Sequence, residues 1–133
     1  MKSLNKILKS DSPSGYLYGY AYKNGRLEPK WEKLLLSLED PFWLYMYARD
    51  IIKDRWLEAE EYIKKDPEYA HFYAKNVIKG RWPEAEEYIK KDSRWACRYA
   101  ENIIKGRWKE AEEYIKRYLY WWQLYCGHFD IKE

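Results

Sequence analysis

A unit of 26 residues recurs three times in this chain, and the repeat limits the possible folds more than any other feature. The three copies are most alike over their last 16 residues, which end at residues 66, 92 and 118. These segments are IIKDRWLEAEEYIKKD, VIKGRWPEAEEYIKKD and IIKGRWKEAEEYIKRY. A unit this short cannot bury an apolar face alone, so its copies must pack against their neighbours. The sequence therefore predicts a repeat architecture over residues 41–118, with units at 41–66, 67–92 and 93–118.

Each unit is predicted to hold two helices joined by a turn. An aspartate that can cap a helix begins each unit, and twice it is followed by the proline that favours a first turn. In the second unit, apolar residues from Tyr69 to Ile78 recur at helical spacing, and Gly80 is expected to end this first helix in a left-handed cap. The second helix has glutamates near its start and lysines near its end, as the helix dipole favours.

The segments at both ends of the chain resemble altered units. Trp121 and Tyr125 fall in register with Trp95 and Tyr99, so residues 119–133 are expected to give a capping helix and a tail. Residues 1–40 are expected to form a cap that contains a degenerate repeat. The predicted fold class is all-α, a short α-solenoid of about three and a half to four stacked helical hairpins with N- and C-terminal capping helices.

Three features give the register of the degenerate repeat. Tyr20-Ala21, Gly25-Arg26 and Trp31 are predicted to correspond to Tyr47-Ala48, Gly80-Arg81 and Trp56, with small insertions and deletions. An alternative treats GYLYGYAYKNGRL as a β-hairpin around Asn24-Gly25. The residue types in this segment alternate as in a β-strand, and Asn-Gly is a favoured hairpin turn. The sequence alone leaves open whether residues 15–28 form a helix or a hairpin.

Composition narrows the possible environments. Apolar residues make up 47% of the chain and charged residues 35%, so there is enough core material to fold, and no stretch approaches the ~20 uncharged residues of a membrane helix. The net charge of +3 is too small to make nucleic acid the default partner. The start of the chain lacks the pattern of a signal peptide, so a cytoplasmic location with reduced Cys97 and Cys126 is expected.

The repeated core KGRWPEAE resembles that of short helical repeats in proteins of tailed bacteriophages and bacteria whose function is uncharacterised. The resemblance covers about residues 41–118 and departs from the pattern at Leu57 and Lys109, where proline is expected. It implies an all-helical solenoid and a phage origin, which would place the protein in the cytoplasm of a host cell. It supplies no catalytic residues.

Positions that differ between units are candidates for partner recognition. Four of them recur in the first helix at the i, i+3, i+4, i+7 spacing of a single stripe, with large apolar residues at its centre and charges at its rim. An alternative is that these are solvated positions without a role, or that those of the first unit pack on the N-terminal cap. The predicted partner-binding residues are Phe42, Tyr45, Met46, Arg49, Glu68, His71, Phe72, Lys75, Arg94, Arg98 and Glu101.

A basic ladder is the second candidate surface. It comprises a lysine and an arginine at the turn of each unit, and stacked units would align them into a row that could contact phosphates or an acidic protein. A structural role is favoured, because each lysine suits the end of a helix and each arginine can pair with the nearby glutamates. The ladder residues are Lys53, Arg55, Lys79, Arg81, Lys105 and Arg107.

Few residues suit catalysis. The only histidines are His71 and His128, the only cysteines are Cys97 and Cys126, and no HExxH, CxxC, Walker or GxGxxG pattern occurs. The sequence therefore predicts a non-enzymatic protein-interaction module with no cofactor, no metal and no membrane partner. The resemblance adds the hypothesis of a small phage effector that inhibits or redirects a host protein, such as a defence component. The alternative is a nucleic-acid or nucleotide binder that uses the basic ladder and the aromatic residues, and the aromatic C-terminal helix around Trp122 is a further possible surface.

Overall fold

The structure, a computed structural model, describes residues 1–132, and it contains helices and no β-strand over that range. The predicted all-α class is therefore confirmed. The chain divides into two compact units between Ile63 and Lys64. Among residues 1–132, no helix combines the length and the apolar character that crossing a bilayer requires.

The first unit contains five α-helices and one π-helical segment. Helix α2 packs against both α3 and α4, and α4 packs against α5. The elements are α1 (Leu4–Leu8), α2 (Pro13–Asn24), α3 (Pro29–Ser37), α4 (Pro41–Tyr47), π1 (Ala48–Ile52) and α5 (Leu57–Ile63).

The second unit contains five α-helices and two π-helical segments within the described residues. Helix α6 packs on α7 and α8, and α8 in turn packs on α9 and α10. The elements are α6 (Pro67–Tyr73), π2 (Ala74–Ile78), α7 (Pro83–Ile89), α8 (Ser93–Tyr99), π3 (Ala100–Ile104), α9 (Lys109–Ile115) and α10 (Leu119–His128).

The predicted aspartate caps are confirmed. The carboxylates of Asp40, Asp66 and Asp92 accept hydrogen bonds from backbone N–H groups in the first turns of α4, α6 and α8, respectively. Pro41 and Pro67 occupy the first helical positions, where the missing N–H removes no helical bond. Local chemistry thus sets where each of these helices begins.

The prediction that Gly80 takes a left-handed conformation is wrong, because Lys79 takes it instead, with φ of 63°. The first helix of the unit widens into a π turn, so the N–H of Lys79 reaches the carbonyl of Ala74 at 2.7 Å. The N–H of Gly80 also bonds to that carbonyl, at 3.2 Å. Lys53 and Lys105 close π1 and π3 in the same conformation, each with φ of 60°.

The alternative of an N-terminal β-hairpin is also wrong. The segment is helix α2, begun by the side chain of Ser12, which accepts a bond from the N–H of Gly15, and by Pro13 in its first turn. The turn residue Gly25 ends this helix with φ of 94°, and its N–H bonds to the carbonyl of Ala21 at 2.7 Å. The same Asn-Gly pair that suits a hairpin turn therefore serves as a helix end.

The core repeats one aromatic pair along the chain. In the second unit the rings of Tyr73 and Trp82 lie 4.8 Å apart, and Trp82 is only 1% exposed. Tyr99 and Trp108 form the same pair, as do Tyr47 and Trp56 in the first unit. The predicted burial of Trp82 and Ile89 is confirmed.

Candidate functional site

The arginines of the basic ladder are engaged in internal ion pairs. Each forms a bidentate pair with the glutamate five residues later, at donor–acceptor distances between 2.7 and 2.9 Å. This arrangement supports the structural role that the sequence favoured. The pairs are Arg55 with Glu60, Arg81 with Glu86 and Arg107 with Glu112.

A tyrosine hydroxyl completes the pairs of Glu86 and Glu112. The Tyr99 hydroxyl donates to Oε2 of Glu86 at 2.7 Å and accepts from the backbone N–H of Trp82 at 2.8 Å. Tyr125 makes the same two bonds with Glu112 and Trp108. These tyrosines come from the first helix of the following 26-residue repeat, so each cluster joins consecutive repeats within the second unit.

The N-terminal cluster corrects the predicted register of the degenerate repeat. Tyr47 donates to Glu32, which pairs with Arg26, and it accepts from the N–H of Leu27. Leu27 therefore stands where the full units have tryptophan, and Trp31 does not. The alignment of Arg26 with Arg81 already placed Leu27 at this position, and the missed signal was the glutamate and tyrosine that recur with the arginine.

The clusters shift the pKa values of their glutamate and tyrosine side chains. The guanidinium of Arg107 and the hydroxyl of Tyr125 hold the pKa of Glu112 below its usual value, against the opposing effect of burial. Burial and the bond to Glu112 raise the pKa of Tyr125. Glu112 therefore stays ionised and Tyr125 stays neutral at physiological pH, which is the state that the cluster needs.

Tyr99→Phe tests the structural role of these clusters. The change removes one hydroxyl and leaves the buried N–H of Trp82 without its acceptor, so we expect a loss of about 1–3 kcal/mol in the free energy of unfolding. Urea denaturation measures the loss. Tyr88→Phe is the matched control, because the Tyr88 hydroxyl makes no hydrogen bond within residues 1–132. An equal effect of the two variants would contradict the role of the Tyr99 hydroxyl.

The predicted stripe is not a single exposed surface. The second position of the stripe, which is Tyr45, His71 and Cys97 in the three repeats, is buried in each of them. The exposures are 4%, 1% and 0%, respectively. In the second unit this position faces the neighbouring first helix, because the His71 ring lies 5.2 Å from the ring of Trp95. The expectation that these residues are exposed is therefore wrong.

The remaining stripe residues form a half-buried band with an exposed edge. The Phe72 ring packs on that of Trp95 at 5.4 Å, and the Phe42 ring packs on that of Trp43 at 4.7 Å. Six of these residues, Phe42, Met46, Glu68, Phe72, Arg98 and Glu101, are half-buried. The other three, Arg49, Lys75 and Arg94, are exposed.

The structure brings two stripe residues against the C-terminal helix. The guanidinium carbons of Arg94 and Arg98 lie 5.8 and 5.5 Å from the ring centroid of Trp121, within the range of cation–π attraction. Arg98 also pairs with Glu101 at 3.2 Å, whereas Arg94 has no carboxylate partner within residues 1–132. Sequence spacing could not reveal this contact, because it joins α8 to α10.

Three large apolar side chains around the start of α10 are exposed to solvent. Tyr118, Leu119 and Tyr120 are 62%, 67% and 63% exposed. We call these three residues, together with Arg94, Arg98 and Trp121, the arginine–tryptophan face. Trp122, the other tryptophan of α10, is half-buried, stacks on Tyr125 at 5.5 Å and lies under the Lys116 ammonium group.

A cleft of about 310 Å³ opens beside the arginine–tryptophan face. Three cations line it, together with one carboxylate that already caps α8 through the N–H of Trp95. The cleft is therefore positively charged and edged by aromatic rings. Its lining residues are Lys91, Asp92, Ser93, Arg94, Arg117, Tyr118 and Trp121.

The buried thiol and imidazole of the stripe are both held in their neutral forms. Burial raises the pKa of the Cys97 thiol to about 12, and Glu101 adds to the shift, so this thiol stays protonated. Burial lowers the pKa of His71 to about 4, and the nearby Lys75 reinforces the effect. Across residues 1–132, no group of three histidine, cysteine or acidic residues is arranged to hold a metal ion.

Comparison of the chain with protein families, with curated proteins and with solved structures found no match. The functional proposal therefore rests on the geometry of the chain itself. Two features of that geometry bear on function: the arginine–tryptophan face with its cationic cleft, and the exposed lysines of the basic ladder.

Proposed function

We propose that this chain is a non-enzymatic protein-interaction module, which binds an acidic and apolar segment of a partner protein through the arginine–tryptophan face. The observation that carries the proposal is the position of Arg94 and Arg98 over Trp121, beside exposed Tyr118, Leu119 and Tyr120. Tryptophan, tyrosine and arginine are the residue types that contribute most to the energy of protein interfaces.

Charge complementarity identifies the chemistry of the partner. Lys91, Arg94 and Arg117 line the cleft, and its one carboxylate, Asp92, is occupied by a helix cap. A partner that places acidic side chains in the cleft and an apolar side chain on the exposed rings would satisfy both parts of the surface. An ordinary solvated surface would not concentrate three large apolar side chains at this point.

The proposal includes the plan of a short α-solenoid for the repeats. Its support lies within the second unit, where α6, α8 and α10 pack in series and the tyrosine clusters recur between successive repeats. In such a plan α10 presents a face that no further described helix covers. The resemblance of the repeat to phage arrays makes a host protein, such as a defence component, the first partner to test.

Nucleic-acid binding along the basic ladder is the second candidate. The observation in its favour is that Lys53, Lys79 and Lys105 are exposed and make no ion pair within residues 1–132. The ladder arginines, however, are bound to glutamates. Half of the ladder charge is therefore neutralised locally, which weakens this candidate.

Selection from a random peptide display library tests the proposed function. We expect the selected peptides to combine Asp or Glu with Phe, Leu or Trp, and we expect Arg94→Ala or Trp121→Ala to weaken their binding about tenfold or more. Fluorescence anisotropy measures the affinities. Lys109→Ala, which removes an exposed cation outside the cleft, is the control and should leave binding unchanged.

Two outcomes would contradict the proposal. One is a selection without acidic and apolar enrichment, or one whose peptides bind the Arg94→Ala and Trp121→Ala variants as tightly as the original chain. The other is tight binding of a single-stranded oligonucleotide at ~50 mM salt that weakens steeply as salt rises, which would favour the nucleic-acid candidate.

A further inference from the structure

We propose that a groove in the second unit, between the ends of π2 and π3, binds a compact oxyanion of the phosphate class. This site is separate from the arginine–tryptophan face, and the inference does not rest on the proposed function. The groove has a volume of about 350 Å³. Its lining residues are Lys75, Lys79, Gly80, Asn102, Ile103 and Lys105.

The charge of the groove is uncompensated. Three of its lining residues are lysines, none is acidic, and none of the three lysines makes an ion pair within residues 1–132. Like charges that converge on one groove repel each other unless an anion joins them. Lysine ammonium groups are point charges that bind phosphate without a fixed orientation.

The fold holds two of these lysines in place. Lys79 and Lys105 both have the left-handed backbone that closes a π segment, and their N–H groups donate to Ala74 and Ala100 at 2.7 Å. A lysine rarely adopts this conformation, because its Cβ crowds the following carbonyl oxygen. The groove is therefore built from constrained backbone, and π2 packs directly against π3.

The first unit has an equivalent groove, in which three cations, Lys23, Arg49 and Lys53, are accompanied by one carboxylate. Its cavity, between α2 and π1, includes Ile51 and Lys53, the repeat equivalents of Ile103 and Lys105. Asp50 stands at the position of Asn102. It accepts a bond from the Tyr18 hydroxyl at 2.6 Å and pairs with Arg49 at 2.8 Å.

The two grooves differ at one equivalent position, which is Asp50 in the first and Asn102 in the second. Asp50 supplies the first groove with its own anion, whereas Asn102 is neutral, and its side-chain nitrogen lies 3.1 Å from Nε2 of His71. The second groove thus keeps the cations of the repeat and lacks the carboxylate. An external oxyanion would take the place that Asp50 fills in the first unit.

A compact oxyanion fits the groove better than a nucleic-acid strand does. No aromatic residue lines the groove, so a base has no ring on which to stack. Along the chain, the carboxylate of Asp50 lines the equivalent groove of the first unit, so the lysine row is not uniformly basic. A single phosphate group, free or carried as a phosphomonoester, needs neither a stacking surface nor a continuous row.

Titration with inorganic phosphate, followed by backbone amide NMR shifts at constant ionic strength, tests the inference. We expect shifts centred on Lys79, Asn102 and Lys105, with sodium chloride as the reference titration. Lys105→Gln and Lys79→Asn should each weaken binding about tenfold, and asparagine is chosen because it tolerates the left-handed backbone. Lys53→Asn is the matched control, because Lys53 has the same backbone conformation in the groove that contains Asp50, and it should leave the affinity unchanged.

Three results would overturn the inference. The first is a phosphate titration without shifts at the groove, and the second is equal weakening by Lys53→Asn and Lys79→Asn. The third is that an oligothymidine binds more tightly than phosphate and that substitution of any ladder lysine weakens its binding. That result would show that the lysines bind a nucleic-acid strand. Circular dichroism and melting of each variant separate loss of the site from loss of the fold.

Discussion

Trp82→Ala is expected to lower the free energy of unfolding by about 3–5 kcal/mol, the usual effect of truncating a large aromatic residue in a core. The Trp82 ring is 1% exposed and packs on Tyr73, while its backbone N–H bonds to Tyr99. The loss is large because the free energy of unfolding of a whole domain is only about 5–15 kcal/mol. Urea denaturation followed by circular dichroism measures it.

Trp31→Ala is the matched control and also tests the register of the N-terminal repeat. The structure places Leu27, not Trp31, at the position equivalent to Trp82, and Trp31 is only half-buried under the Lys30 ammonium group. We expect a loss of roughly 1 kcal/mol for this substitution. Equal losses in the two variants would restore the register that the sequence predicted, and a loss below about 1 kcal/mol for Trp82→Ala would contradict the core described here.

The helices and their beginnings could be predicted because their causes are local. An aspartate followed by proline both accepts the free N–H groups and fixes the backbone of the first turn, and neither effect depends on the rest of the fold. The aromatic core could be predicted for a different reason. Tyr73 and Trp82 are the same in every full unit, and a position that must pack on its own copies cannot vary freely.

The helix ends could not be predicted from glycine alone. Glycine follows Lys79 and Lys105, but Asp54 follows Lys53, and all three turns have the same backbone. The constant residue is the lysine, and it is the one that takes the left-handed conformation. That outcome depends on the π turn, which moves the end of the helix one residue towards the N-terminus, and no local propensity signals a π turn.

The candidate site was only partly predictable, because helical spacing defines a face but not its burial. Residues at i, i+3, i+4 and i+7 share a face, yet the neighbouring first helix covers part of it and buries His71 and Cys97. The contact of Arg94 and Arg98 with Trp121 joins helices that are separated in sequence. Such a contact depends on how α8 and α10 pack, and a single sequence carries no direct signal of that packing.

The burial of His71 predicts a loss of stability in mild acid. In the folded chain its pKa is about 4, because the ring is buried and the cation of Lys75 lies near, whereas an unfolded histidine has a pKa of about 6.5. Its other surroundings are Phe72, Trp95, the amide of Asn102 and Arg98, and none of them is an anion that could neutralise a protonated ring. The backbone of Arg98 raises the pKa of His71 and its cation lowers it, and both effects are smaller than that of burial.

The direction of the pH dependence of stability follows from proton binding to the unfolded chain. Between about pH 6.5 and pH 4 the unfolded chain binds a proton that the folded chain does not, so the free energy of unfolding falls as the pH falls through that window. The full difference corresponds to roughly 3 kcal/mol, at about 1.4 kcal/mol for each pH unit. The ion-paired carboxylates of Asp50 and Glu112 have lowered pKa values, so their contributions are lost only at more acidic pH.

Urea denaturation at a series of pH values from about 7 down to about 4.5 isolates the effect of His71, since carboxyl groups titrate mainly below that range. We expect the original chain to lose stability steadily over this range. His71→Cys introduces the residue that the third repeat has at this position. This variant should be less stable at pH 7, but its free energy of unfolding should be nearly insensitive to pH. His128→Gln removes the exposed histidine and should keep the slope of the original chain. A slope that survives in His71→Cys, or one that disappears in His128→Gln, would show that His71 does not carry the acid sensitivity, whatever the absolute stability of the variants.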